Sequence, residues 1–195
     1  MKLITYSTEG SVRCGILTEN GIIDITSNWE GTHPPESIFE ILQRGSCCLE
    51  KLSEMEHSAE AFAPTDSFQL LAPIPRPGKI IALAGNYSEH IKEAGLSLGL
   101  TDSPRNTTVP RPFIMPSTAV LGNDQEIPWP VYSKTIDYEL ELGVVIGKKA
   151  KFVEPEDALN YVAGYTIVND VSARSVTFVK NRAKRPWDEF YDWLN

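Results

Sequence analysis

The chain has 195 residues, with 26 acidic and 18 basic side chains, a formal net charge of −8 and 42% hydrophobic residues. This composition is typical of a globular protein, and the length suits one domain with a small additional unit. The negative balance argues against nucleic acid and against membrane surfaces as partners. An anionic substrate remains possible, because a bound cation can reverse the local field.

The N-terminal segment carries acidic residues and lacks a basic stretch followed by an apolar one. It therefore predicts neither a secretory signal nor a transit peptide, and no apolar run approaches the roughly 18 residues of a membrane span. Three cysteines, Cys14, Cys47 and Cys48, are too few for a disulfide framework and indicate thiols in a reducing compartment. The expected location is the cytoplasm.

The front of the chain predicts a small β-rich unit. Residues 1–26 contain three short β-prone runs separated by turn sequences, among them Asn20-Gly21, a strong hairpin signal. Residues 37–42 and 48–62 have helical patterns with polar positions on one side.

Three prolines in the stretch 71–79 predict an extended connector. We therefore expect a small N-terminal domain over residues 1–70, the connector over 71–79 and a second domain over 80–195.

The second domain opens with a strand pattern at 80–84, and Asn86 with Glu89 predicts a capped helix that ends near Gly95. Residues 99–112 are rich in Pro, Ser, Thr and Asn and predict a long loop, a common form of active-site lid.

Two further strands are predicted around a helical segment at 155–162. Residues 137–147 alternate and then become fully apolar, which indicates a strand that enters a core. The next strand, 164–168, ends at Asn169-Asp170.

Carboxylates on these strands form the first candidate site. Because side chains alternate along a strand, Glu139 and Glu141 share a face with Asp137, opposite a face of apolar residues. The two glutamates can converge on a hard cation, although a solvated outer face explains the pattern equally well. Asp170 follows the next strand and could return beside Glu141, or could be an ordinary turn residue. Three carboxylates together would favour Mg²⁺, Mn²⁺ or Ca²⁺ over zinc.

His90 and Glu93 form the second candidate. They lie three residues apart, on one face of the predicted helix. A carboxylate bonded to imidazole orients it and raises its basicity, as a general base requires. A surface histidine beside a surface glutamate is the alternative interpretation.

Three strings together resemble the fumarylacetoacetate hydrolase family: GNYSEHIKEAG (85–95), DYELELGVVIGKK (137–149) and AGYTIVNDVSARSV (163–176). The resemblance covers most of residues 70–195, and the front unit resembles an N-terminal domain that many members carry. It implies an α+β, mainly β fold with a rolled mixed β-sheet, preceded by a small N-terminal β-rich domain, and commonly a homodimer.

The resemblance also assigns roles. Glu139, Glu141 and Asp170 would bind Mg²⁺ (or Mn²⁺ or Ca²⁺), and His90 with Glu93 would be the acid–base pair on a helix that closes over the site. Arg174 would support the Asp170 loop rather than contact substrate. The implied substrates are small oxo or dioxo acids, which members hydrolyse at a C–C bond, decarboxylate or isomerise through a metal-stabilised enolate.

Two departures from the family pattern matter. Met115 stands where members usually have lysine, which could alter the choice of an acidic substrate. The sequence also ends at Asn195, before the Gly-Lys and later strands expected from the resemblance, so we expect a C-terminally truncated domain. The alternative function is therefore a non-catalytic, metal-binding or dimerising remnant of such an enzyme.

Overall fold

The computed structural model describes residues 1–62, 68–89, 92 and 110–174. Within these ranges, no helix is long and apolar enough to cross a membrane.

The front region is built on a four-stranded antiparallel sheet with the order β3-β2-β1-β4. Its strands are β1 (Leu3–Thr8), β2 (Ser11–Thr18), β3 (Gly21–Asp24) and β4 (Gln69–Leu70). The predicted β unit and its hairpin are confirmed, but the turn from β2 into β3 consists of Glu19 and Asn20, because Gly21 already pairs with Thr18.

Between β3 and β4 the chain forms the helices α1 (Ile38–Arg44) and α2 (Ser46–Ser58). Ser37 caps α1 by accepting a hydrogen bond from the backbone N–H of Glu40, at 3.2 Å. Gly45 separates the helices at a φ of +75°, a value that glycine adopts without strain. The second predicted helix was too long, because Phe62 instead forms a β-bridge with Ile22.

The helices pack on the sheet and close an apolar core. Every apolar side chain that is buried among the described residues belongs to this front region. These residues are Ile4, Tyr6, Cys14, Ile16, Ile22, Ile23, Ile25, Ile38, Ile41, Cys48, Leu52 and Met55.

The proline-rich connector docks against the front sheet. The backbone N–H of Leu71 donates to the carbonyl of Thr5 at 2.9 Å, and the Thr5 hydroxyl donates to the carbonyl of Pro73 at 2.7 Å. Gly122 approaches so closely that an added Cβ would lie 2.8 Å from the Leu71 Cα. The division into domains at 71–79 stays a prediction.

The described part of the second region contains three two-stranded antiparallel pairs. They are β5 (Ile80–Ala84) with β6 (Arg111–Met115), β7 (Thr135–Asp137) with β10 (Ser172–Arg174), and β8 (Leu140–Ile146) with β9 (Val162–Asn169). Short 3₁₀ helices lie at Ser117–Ala119 and Pro155–Tyr161, the latter where the sequence predicts a helix. The predicted strands at 80–84 and 164–168 are confirmed.

One expectation about β8 was wrong. Its apolar side was expected to enter a core, yet in the described part of the chain that side is the more exposed one, and Tyr138 is 84% exposed. This apolar face spans both strands of the pair and consists of Tyr138, Leu140, Leu142, Val144, Ile146, Tyr165 and Ile167. The opposite face, with the glutamates, is half-buried.

Candidate functional site

The candidate metal ligands lie where two strand pairs meet. Leu140 pairs with Asn169 at the end of the β8–β9 pair, and Asp137 pairs with Ser172 in the β7–β10 pair. Because the register is the same on both sides of a short interruption, the two strand pairs form one ribbon. Glu139 and Asp170 occupy the interruption on opposite strands. The N–H of Asp170 donates to the Glu139 carbonyl at 2.8 Å, which keeps the two strands in register there.

Glu139, Glu141 and Asp170 share one side of this ribbon, called here the carboxylate face. Antiparallel partners point to the same side, and residues two apart on a strand do so as well. Directly opposed residues have Cβ atoms roughly 5 Å apart, so ionised Glu139 and Asp170 repel one another. The predicted division between a face with acidic residues and a face with apolar residues is confirmed.

The Asn169 side chain supports this geometry. Its Oδ1 accepts a hydrogen bond from the backbone N–H of Glu139 at 3.1 Å, so a side chain replaces the missing ladder bond at the interruption. Asn169 is not among the predicted site residues. Its position directly before Asp170 was the available signal.

Burial raises the pKa of Asp170 above the ordinary aspartate value. Protonation of this carboxyl is therefore easier than protonation of a free aspartate. A bound cation would oppose protonation, because it stabilises the ionised form.

Arg174 makes two ion pairs on the carboxylate face. Its Nε donates to Asp137 Oδ2 at 2.8 Å, and a terminal nitrogen of the guanidinium donates to Glu139 Oε1. The backbone carbonyl of Arg174 accepts from the buried Ser133 hydroxyl. Arg174 thus contacts the expected metal ligand Glu139 directly, a contact that sequence reasoning did not foresee because it depends on the register of the ribbon.

The donor chemistry of the carboxylate face fits a hard divalent cation, since all three expected ligands are carboxylate oxygens on one side of the ribbon. In the part of the chain that the structure describes, however, no three Asp, Glu, His or Cys side chains converge as a metal-binding group. Glu139 is engaged by Arg174 instead. The expected ligands are therefore neighbours that do not surround a common point in this conformation.

Tyr87 connects the predicted acid–base segment to this ribbon. The backbone N–H of Leu142 donates to the Tyr87 hydroxyl oxygen at 2.9 Å. This bond places residues 85–89 at the edge of β8, next to Glu141. His90 and Glu93 themselves lie outside the described residues. Tyr87 was part of a string that carries the resemblance, but its contact with β8 could not be read from the sequence.

The remaining expectations concern Met115 and the cysteines. Met115 ends β6 and pairs with Ile80. All three cysteines are free thiols, and burial raises the pKa of Cys14 to about 11, which makes this thiol unreactive.

Comparison with known proteins gives a family match over more than half of the chain. Residues 79–192 match the model described as fumarylacetoacetate (FAA) hydrolase C-terminal. The matched segment contains all five candidate site residues.

Curated relatives match nearly the whole chain. A fumarylacetoacetate hydrolase domain-containing protein 2 homolog of Dictyostelium discoideum is 38% identical over 187 residues, which cover 94% of this chain and 58% of the relative. The human protein called oxaloacetate tautomerase FAHD2A, mitochondrial, is 32% identical over 93% of this chain and 56% of its own length. The chain thus spans little more than half of these relatives.

A solved structure has the same fold. Maleylpyruvate hydrolase from Sphingobium sp. SYK-6, in complex with manganese(II) ion and pyruvate, superposes with a TM-score of 0.62 at 24% identity. The superposition covers 90% of this chain and 60% of that protein.

Proposed function

Because the chain belongs to the fumarylacetoacetate hydrolase family and has its mainly β, α+β fold, we propose that it carries a divalent-metal-dependent enzyme site for small oxo acids. The observation that carries this proposal is the opposition of Glu139 and Asp170 across the ribbon, with Glu141 on the same face. Such a concentration of carboxylates is unfavourable without a positive charge.

In this proposal, Glu139, Glu141 and Asp170 hold the cation, which is Mg²⁺, Mn²⁺ or Ca²⁺. A bound cation supplies Lewis-acid stabilisation of the negative charge that develops on the oxygen of an oxo acid. The half-buried setting of the three carboxylates supports it, because electrostatic interactions strengthen where water is partly excluded.

His90 is proposed as the acid–base group, oriented by Glu93. The bond between Tyr87 and Leu142 supports this assignment, since it holds the segment just before His90 beside Glu141. A histidine at that edge could take a proton from the substrate carbon or from water, or return one.

The proposed reaction is one of three: C–C bond hydrolysis, decarboxylation or isomerisation. Oxaloacetate is the first substrate to test, because the human relative is called an oxaloacetate tautomerase and a protein of the same fold is a maleylpyruvate hydrolase. A homodimer is proposed as well, and the exposed apolar face supports it. The cytoplasm is the proposed location, with mitochondria as the alternative suggested by the human relative's name.

The test is turnover of oxaloacetate by the full chain after removal of metal and after addition of Mn²⁺. Activity should require the metal, and His90→Gln should lower the rate by about 100-fold or more, the usual contribution of a general acid–base group. Glu141→Gln should abolish the metal-dependent rate. Glu156→Gln, which changes an exposed carboxylate on the 3₁₀ helix, is the matched control and should be active.

Metal-dependent turnover unaffected by Glu141→Gln would contradict the ligand assignment. Metal binding without turnover of oxaloacetate or of acylpyruvates would instead support the alternative of a non-catalytic, metal-binding module.

A further inference from the structure

Arg174 is the last residue of β10 and reaches two carboxylates of the carboxylate face. It lies opposite Thr135 in the β7–β10 pair, on the same side of the ribbon as Asp137 and Glu139. One guanidinium nitrogen contacts each of these two carboxylates. The planar fork of arginine allows two such contacts at once.

The charge around Glu139 explains why this contact forms. Asp170 lies across the ribbon and Glu141 two residues along the strand, so Glu139 has carboxyl groups as neighbours on two sides. The guanidinium offsets the repulsion between ionised carboxylates. In the conformation described, Arg174 thus supplies to Glu139 the positive charge that a bound cation would supply.

We infer that Arg174 is an internal counter-ion that competes with a divalent cation for Glu139, an inference that rests on the proposed metal site. The bond from Arg174 Nε to Asp137 is independent of Glu139 and can persist when the cation enters. Only the contact with Glu139 has to break, so the backbone of β10 need not move.

If Arg174 competes with the cation, the parent chain should bind a divalent metal more weakly than a chain that has the same carboxylates and lacks the Arg174 guanidinium. Arg174 is 46% exposed at its side chain, and ion pairs at such sites are worth little. Removing it should therefore tighten Mn²⁺ binding by a modest factor, about twofold to fivefold. If Arg174 instead supported the site, its removal would weaken binding.

The experiment is a Mn²⁺ titration of the full chain in which electron paramagnetic resonance measures the concentration of free Mn²⁺. The variants are Arg174→Gln, Arg174→Lys and Arg76→Gln, which removes one positive charge in the connector. Arg174→Gln should lower the apparent Kd about twofold to fivefold, while Arg76→Gln should match the parent. Arg174→Lys should lie between, since one ammonium group cannot reproduce the fork.

An unchanged or higher Kd for Arg174→Gln, with a thermal melt equal to the parent's in metal-free buffer, would overturn the inference. If Arg174→Gln does not fold, Arg174→Lys decides, and a Kd equal to or above the parent's would overturn it. Failure of the parent to bind Mn²⁺, or equal binding by Glu141→Gln, would overturn the proposed site itself. Those results differ from a failure of the counter-ion role alone.

Discussion

The front region and the second region treat their apolar residues in opposite ways. In the front region, helices α1 and α2 cover the sheet, and Ile16 is completely buried. In the second region, the apolar face of the β8–β9 pair is open, and Ile167 on β9 is 79% exposed. The two isoleucines belong to similar antiparallel strands, so the difference lies in what covers the strands rather than in the strands themselves.

This difference in burial indicates where each region obtains its stability. Burial of apolar surface is the main driving force of folding, and the front region has a core of its own. The described part of the second region relies on strand pairing, on polar contacts such as that of Ser133, and on the ion pairs of Arg174. Among the described residues, the candidate site thus lies in the region with fewer buried apolar side chains.

The largest expected effect comes from a matched truncation of the two isoleucines. Ile16→Ala should lower the free energy of unfolding of the front region by about 2–5 kcal/mol, because it creates a cavity. Ile167→Ala should change the stability of the second region by no more than about 0.5 kcal/mol. Urea unfolding followed by hydrogen exchange of peptides from each region measures both. A comparable cost at Ile167 would show that its face is covered in solution, for example by a second copy.

A glycine pair gives the next effect. A Cβ at Gly15 would lie 2.9 Å from the Ile22 Cγ2 and 2.9 Å from the Ile23 carbonyl oxygen, whereas one at Gly164 would meet nothing within 4 Å. Gly15→Ala should therefore destabilise the front region by about 1–3 kcal/mol through overpacking. Gly164→Ala should change stability by less than about 1 kcal/mol. Equal melting temperatures for the two variants would contradict this account.

The two regions also differ in how a buried carboxyl responds to pH. Burial acts to raise the pKa of Asp24, but hydrogen bonds from Tyr6, Ser27 and Arg13 outweigh it and lower the pKa. In Asp170, burial raises the pKa without such compensation. Ionised Asp24 therefore stabilises the front region above the unfolded pKa of about 3.9, and this contribution is lost as the pH falls through the lower folded pKa.

For Asp170 the sign is opposite, because a raised folded pKa favours the neutral form. The contribution of protonated Asp170 to the stability of the second region is lost as the pH rises through the unfolded pKa and then the folded pKa. Asp24→Asn should cost about 1–3 kcal/mol at neutral pH and flatten the acid dependence of the front region. Asp170→Asn in metal-free buffer should leave the second region equally or more stable at neutral pH. Melting from pH 3 to 7 tests both, with Asp157→Asn as the exposed control.

The smallest effect is expected at Tyr87. Tyr87→Phe removes the acceptor for the Leu142 N–H at the edge of β8, at a cost of about 0.5–1.5 kcal/mol. Hydrogen exchange of the peptide that spans 140–146 should quicken, while peptides from β2 should not change. Unchanged exchange in 140–146 would show that this bond does not hold residues 85–89 at the ribbon.

The sequence predicts the elements of this fold better than their contacts. Alternation placed Glu139 and Glu141 on one face, and turn residues placed the strands of the front region, because both signals are local. The exposure of the apolar face was not predictable, since burial depends on elements distant in sequence. The contacts of Arg174 and Tyr87 with the ribbon also required the register, which a single sequence does not specify.

The central claim is that Glu139, Glu141 and Asp170 form a divalent-metal site. Mn²⁺ titration of the full chain by electron paramagnetic resonance, with Glu141→Gln and the control Glu156→Gln alongside, tests it most directly. We expect one bound Mn²⁺ per chain in the parent and in the control, and at least a tenfold loss of affinity in Glu141→Gln. Equal affinity in all three proteins, or no binding by a folded parent, would contradict it.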